Sequence, residues 1–81
     1  MIKILFFAQV RELIGISSLE VESTYENIIA LRDELAKKNI RWELALESNK
    51  LLTAVNHILV PMSHPLKSGD EVAFFPPVTG G

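Results

Sequence analysis

The chain opens with an apolar run, Ile2-Lys3-Ile4-Leu5-Phe6-Phe7-Ala8, broken only by Lys3 and too short for an amphipathic helix, which predicts a central strand. Gln9 to Ile14 mixes polar and apolar residues and stops at Gly15. This predicts a loop or one helical turn, with the Gly15 region as the turn of a hairpin. Ser18-Leu19-Glu20-Val21-Glu22-Ser23 alternates with period two, as a half-buried strand does. Ile28, Leu31 and Leu35 then recur at helical spacing and predict the main helix, residues 27–38. Asn27 is one candidate cap, and Ser23 with Glu26 spells a capping box, so two starts are compatible with the sequence. Lys37 and Lys38 suit the negative end of the helix dipole, with Asn39 as the expected terminator. Trp42 to Glu47 predicts a short second helical piece closed by Ser48-Asn49. Leu51–Val55 and Ile58–Val60 flank Asn56-His57, a two-residue link suited to a hairpin. Pro61, Pro65 and Lys67-Ser68-Gly69-Asp70 predict an irregular connection and a tight turn before the last strand, Glu71–Phe75.

Five strands and one main helix imply an α+β domain, an open sheet packed on one side by that helix. Strand alternation then sorts the aromatics. Lys3, Leu5 and Phe7 share one face of the first strand, and Glu71, Ala73 and Phe75 share one face of the last. The charges mark that face as the wet one, which leaves Phe7 and Phe75 as exposed aromatics of the kind partner interfaces are built around.

The 81 residues fit one domain, and with no Cys its stability has to come from packing. A net charge of −2, with eight Lys and Arg scattered along the chain, lacks the basic stripe that nucleic-acid binding needs. The N-terminal apolar run is far too short to span a membrane, so a cytoplasmic protein is expected. A hydrophobic fraction of 48% is high for so small an interior and points to apolar surface that faces a partner.

Catalytic constellations are absent from the body of the sequence. His57 and His64 fall on turns and lack metal-ligand spacing, so no metal site is expected. Asp70 and Glu71 are adjacent on a strand start and point to opposite faces, which does not suit shared acid–base work. None of Ser17, Ser18, Ser23 or Ser68 has a nucleophile-elbow context, and no glycine-rich phosphate loop occurs.

What remains is the end of the chain, Phe74-Phe75-Pro76-Pro77-Val78-Thr79-Gly80-Gly81. Pro76-Pro77 cannot extend a sheet ladder and should leave it as a polyproline-like arm. This divides the chain into a domain over residues 1–75 and an extended tail over 76–81. The tail spans about 20 Å at ~3.3 Å per residue, enough to carry the terminal carboxylate into another protein. Gly80 and Gly81 have no Cβ and pass through a narrow channel.

The whole chain resembles the small, sulfur-carrier subunits of molybdopterin synthase, which are ubiquitin-like β-grasp proteins. The resemblance rests on Ile4-Leu5-Phe6-Phe7-Ala8 with Arg11-Glu12-Leu13 and Gly15, on Ala54-Val55-Asn56, and on Gly69-Asp70-Glu71-Val72-Ala73-Phe74-Phe75-Pro76-Pro77-Val78 with Gly80-Gly81. The last motif is highly specific. The helix over 27–38 and the loop around Met62 resemble the family in pattern only. The resemblance implies that Gly81 is adenylated by an ATP-dependent activating enzyme, and that a sulfur donor protein then converts it to a thiocarboxylate. It implies docking on a large catalytic subunit, in a heterotetramer with two small subunits, where the sulfur attacks the cyclic pterin precursor. Gly81 would be the sulfur donor and Gly80 would give the tail access. Phe7, Phe75, Pro76, Pro77, Val78 and Thr79 would meet the partner. The chain would thus be the small subunit of a sulfurtransferase with no cofactor of its own, ATP being used by the activating enzyme. A related carrier serving thiamine or tRNA thiolation, or a ubiquitin-like protein modifier, would use the same tail, and a plain interaction module is the alternative from another class.

Overall fold

The computed structural model describes residues 1–22, 25–47 and 51–77. Its strands are β1 (Ile2–Phe6), β2 (Ser18–Val21), β3 (Leu52–Val55), β4 (Ile58–Val60) and β5 (Glu71–Phe75). They form one mixed sheet in the order β2-β1-β5-β3-β4. The two strands that begin and end the described chain lie side by side at its centre and run parallel, Ile4 opposite Val72 and Phe6 opposite Phe74. Every other pair is antiparallel. Among the described residues three helices accompany the sheet, α1 (Ala8–Ile14), α2 (Ile28–Ala36) and α3 (Ile40–Ala45). This is the β-grasp arrangement, an α+β fold.

The core follows from the alternation in β1 and β5. Ile2, Ile4 and Phe6 are buried together with Val72 and Phe74, and Ile28, Leu31 and Leu35 of α2 pack on them. Trp42 of α3 closes one end, its ring edge-on to Phe6 at 5.6 Å between centroids. The helical layer is therefore broader than one main helix, since α1 supplies Val10 and α3 supplies Trp42 and Ala45 to the same core.

Local chemistry explains most of the boundaries. Asn27 caps α2, its side chain accepting from the Ala30 N–H at 2.9 Å. The capping-box alternative rests on Ser23, which lies outside the described residues. Two further first-turn donors of α2 are met by the irregular loop before β5: Ile28 N–H donates to His64 O at 3.3 Å and Ile29 N–H to Met62 O at 3.0 Å. The proline-containing connection is thus strapped to the start of α2, which satisfies donors the helix cannot satisfy itself.

Four expectations need correction. The stretch after β1, expected as a loop or one helical turn, is a longer, seven-residue helix, α1, which Gly15 ends as expected, at φ 92°; this helix rather than a tight turn at Gly15 joins β1 to β2. Val10 is buried and Ile14, four residues on, packs against the core, which is enough to hold two turns. Asn39 does not terminate α2, which ends at Ala36 with Lys37 as its C-cap; its side chain instead accepts from the Arg41 and Trp42 N–H groups and caps α3. That helix accordingly starts at Ile40 and ends at Ala45, two residues earlier at each end than the expected Trp42–Glu47. The Ser48-Asn49 turn lies outside the described residues. The first strand also ends at Phe6, because the chain turns at Ala8, where φ is 52°.

The hairpin at Asn56-His57 is present, with both residues at positive φ, 51° and 72°. That is the twist-matched geometry of a two-residue turn.

Candidate functional site

One face of the sheet carries the helices, and the other holds none of the buried hydrophobic residues. Register lines up what occupies it. Leu5 of β1, Ala73 of β5, Ala54 of β3 and Leu59 of β4 form a row across four strands. Phe75 faces Leu52 in the neighbouring row, nearer the end of the sheet from which the tail leaves. Phe7 lies just past the end of β1, its N–H donating to Phe74 O at 3.1 Å, and it is 45% exposed. Leu59 is 64% exposed. An apolar surface therefore covers the tail end of this face.

The opposite end of the same face is charged. Lys3 sits between Glu20 and Glu71 in register, and Glu71 is 3.4 Å from the His57 imidazole. An apolar patch with a polar rim is the composition of a docking surface.

The strand that feeds the tail is firmly set. The Asp70 carboxylate accepts from the Lys67 N–H at 2.8 Å and from the Asn56 side chain at 3.1 Å, while Glu71 N–H donates to Asn56 Oδ1 at 3.0 Å. The Lys67 backbone N–H holds the Asp70 carboxyl below its ordinary value. Burial opposes it, and the Asn56 bond and the Lys67 and His64 charges assist. Asn56 thus ties the β3–β4 hairpin to the start of β5. Asp70 and Glu71 have separate partners and no shared proton to exchange.

Of the residues singled out in the sequence, Phe7 and Phe75 come together at one end of the sheet, and Pro76 and Pro77 continue from Phe75. Val78, Thr79, Gly80 and Gly81 lie outside the described residues. Leu5, Leu52 and Leu59 belong to the same surface and were not singled out by sequence reasoning. Period-two alternation marks each as outward-facing, but only the register joins them. Among the described residues no group of three or more His, Cys, Asp or Glu could hold a metal ion, and no helix is long and apolar enough to cross a membrane.

Comparison with known proteins places this arrangement. The ThiS family model matches residues 4–81. The chain belongs to the ThiS family. It is 60% identical over 81 residues to the molybdopterin synthase sulfur carrier subunit of Escherichia coli strain K12, covering all of both chains. It is 52% identical, again over the full length of both, to the protein of the same name from Haemophilus influenzae. Among solved structures it resembles a chain of the complex of subunits 1 and 2 of the molybdopterin-converting factor from Helicobacter pylori 26695. There the TM-score is 0.65 with 25% identity, covering 99% of this chain and 97% of that one. In this ThiS-family chain the apolar surface lies where the fold delivers the tail.

Proposed function

We propose that this chain is the sulfur-carrier subunit of molybdopterin synthase, acting in the cytoplasm through the terminal carboxyl of Gly81. The observation that carries the reading is the full-length relationship to two bacterial sulfur-carrier subunits. It is supported by the apolar surface of Phe7, Phe75, Leu52 and Leu59 at the root of the tail.

The chemistry follows from the carboxylate. With an ordinary pKa near ~3.5 it is ionised at neutral pH and a poor electrophile, so it requires activation. An ATP-dependent activating enzyme joins the Gly81 carboxylate to AMP and releases pyrophosphate. A sulfur donor protein then delivers sulfur to the acyl carbon and AMP leaves, giving the thiocarboxylate. The loaded carrier docks on the large catalytic subunit, two small subunits serving a heterotetramer. The thiocarboxylate sulfur attacks a carbon of the cyclic pterin precursor as a nucleophile and an oxygen substituent leaves that carbon, which divides a hard substitution into easier steps. Hydrolysis of the resulting acyl link returns the Gly81 carboxylate and leaves sulfur on the pterin. A dithiolene holds two sulfurs, so two deliveries complete it. The chain itself contributes the docking surface, the arm and the reacting terminus; ATP is used by the activating enzyme.

Gly81→Ala and deletion of Gly81 test the assignment. Both variants are expected to stay folded and to lose molybdopterin formation in an assay reconstituted with the large subunit, activating enzyme and sulfur donor. Product formation at the wild-type rate would overturn it.

A further inference from the structure

The apolar surface does not stop at the edge of the sheet. Leu51 borders two hollows at once. One, of about 350 Å³, also touches Leu52, Leu59 and Pro61 beside the open face. The other, a groove of about 530 Å³, runs between α1 and α3, with Leu13, Leu44 and Leu51 as apolar walls and Pro76 and Pro77 along one side. Leu44 is 52% exposed and Leu13 38%, although both lie beside core residues Val10 and Ala45. Apolar surface thus surrounds the root of the tail, with Phe7, Phe75 and Leu52 on the sheet side and Leu13, Leu44 and Leu51 on the helix side. Among the described residues that line the groove, Glu47 is the charged one.

We propose that the α1–α3 groove is a second contact for the large synthase subunit, filled by a small cluster of apolar side chains of that subunit with a basic group beside it. The proposal rests on the function proposed above. A protein that encloses the tail from Val78 onward has to cross the mouth of the groove, because Pro76 and Pro77 form one of its sides. The groove is continuous through Leu51 with the sheet surface on which the same protein docks. Its volume of about 530 Å³ has room for two or three apolar side chains, and Glu47 supplies the charge that a neighbouring lysine or arginine would meet. Docking then takes hold of the stiff base of the tail on two sides, which fixes the direction in which Gly81 is aimed.

The test uses the full chain and the purified large subunit, with affinity measured by calorimetry. Leu44→Glu and Leu13→Glu place a charge on the groove walls at half-exposed positions, and Leu44→Ser covers the case in which a glutamate disturbs folding. Each is expected to weaken binding at least about tenfold with an unchanged melting temperature. Leu44→Met is expected to retain affinity, and Glu47→Lys to lose it more strongly at low salt than at high. Wild-type affinity in the Leu44 and Leu13 variants, with Phe75→Ala still weakened, would overturn the groove contact and leave the proposed function standing. Loss of adenylation by the activating enzyme with normal large-subunit binding would also overturn it, as would a wild-type self-association that Leu44→Glu abolishes. Absence of any complex between the wild-type chain and the large subunit would remove the proposed function as well.

Discussion

The rings of Phe6 and Phe74 stack across the central parallel pair with centroids 6.2 Å apart and 14° between their planes. Each is followed by a second phenylalanine, and strand alternation turns that neighbour to the other side. One Phe-Phe pair in β1 and one in β5 thus give the molecule two aromatic contacts with different work. Phe6 and Phe74 are fully buried in the core, while Phe7 and Phe75 border the open face. Truncation should separate the two. Phe6→Ala or Phe74→Ala is expected to cost about 3–5 kcal/mol of stability. Phe7→Ala or Phe75→Ala is expected to cost little stability and to weaken binding to the large synthase subunit by more than about 1 kcal/mol. Denaturant unfolding and calorimetric titration measure the two quantities; the reverse pattern would mean that the sheet docks through its other face.

Gly15 ends α1 with φ at 92°, and a Cβ built there would meet nothing within 4 Å. The cost of a side chain at this position is therefore purely one of backbone conformation. Gly15→Ala is expected to destabilise the fold by about 1–2 kcal/mol, the penalty of a left-handed L-residue, without altering large-subunit affinity. A neutral effect in urea unfolding would show that α1 can end in another geometry.

Asn39 accepts from the backbone N–H groups of Arg41 at 2.9 Å and Trp42 at 3.2 Å. Removing this cap loosens the start of the helix that carries Trp42 against Phe6. Asn39→Ala is expected to cost about 1 kcal/mol, and Asn39→Asp or Asn39→Ser to retain most of it. If all three substitutions unfolded at the wild-type denaturant midpoint, the side chain would have no capping role.

These residues also show where sequence reasoning succeeds. Strands with strict alternation, the Ile28-Leu31-Leu35 stripe and the Asn56-His57 turn are written in local patterns, so their elements can be read directly. Asn39 is ambiguous by nature. Asparagine serves either a left-handed helix end or a helix start, and what decides is whether the next segment buries an apolar side chain, as Trp42 does. The helix after β1 was legible only as a loop or a single turn stopped by Gly15, for a related reason: seven residues with Val10 as their one buried side chain carry too little periodicity to fix its length. The apolar surface of the open face was half legible. Phe7 and Phe75 follow from strand parity alone, whereas Leu5, Leu52 and Leu59 join them through pairing between distant segments, including a parallel pair of chain ends that no local pattern encodes. The groove behind them draws on α1, α3, Leu51 and the tail root, and is a product of the tertiary fold.

Asp70 links pH to this architecture. Its carboxyl lies below the ordinary value of 3.8 because it accepts the Lys67 N–H, with help from Asn56 and in spite of burial. A folded-state value lower than the unfolded one means that the unfolded chain takes up the proton first as the solution is acidified. The stabilisation is therefore fully present above the unfolded value and is lost as pH falls through about 4 toward the lowered folded value. Asp70→Asn is expected to lower stability at pH 7 and to flatten the decline below pH 4, because the variant has no proton to bind at this site. Parallel urea titrations of the two proteins between pH 2.5 and 7 measure this, and equal slopes in the acid range would show that other carboxylates govern it. Asn56 joins Asp70 to the β3–β4 hairpin and to the Glu71 N–H, so the same variant should also loosen the first residues of β5. Amide exchange at Glu71 and Val72 is expected to quicken relative to that in β2.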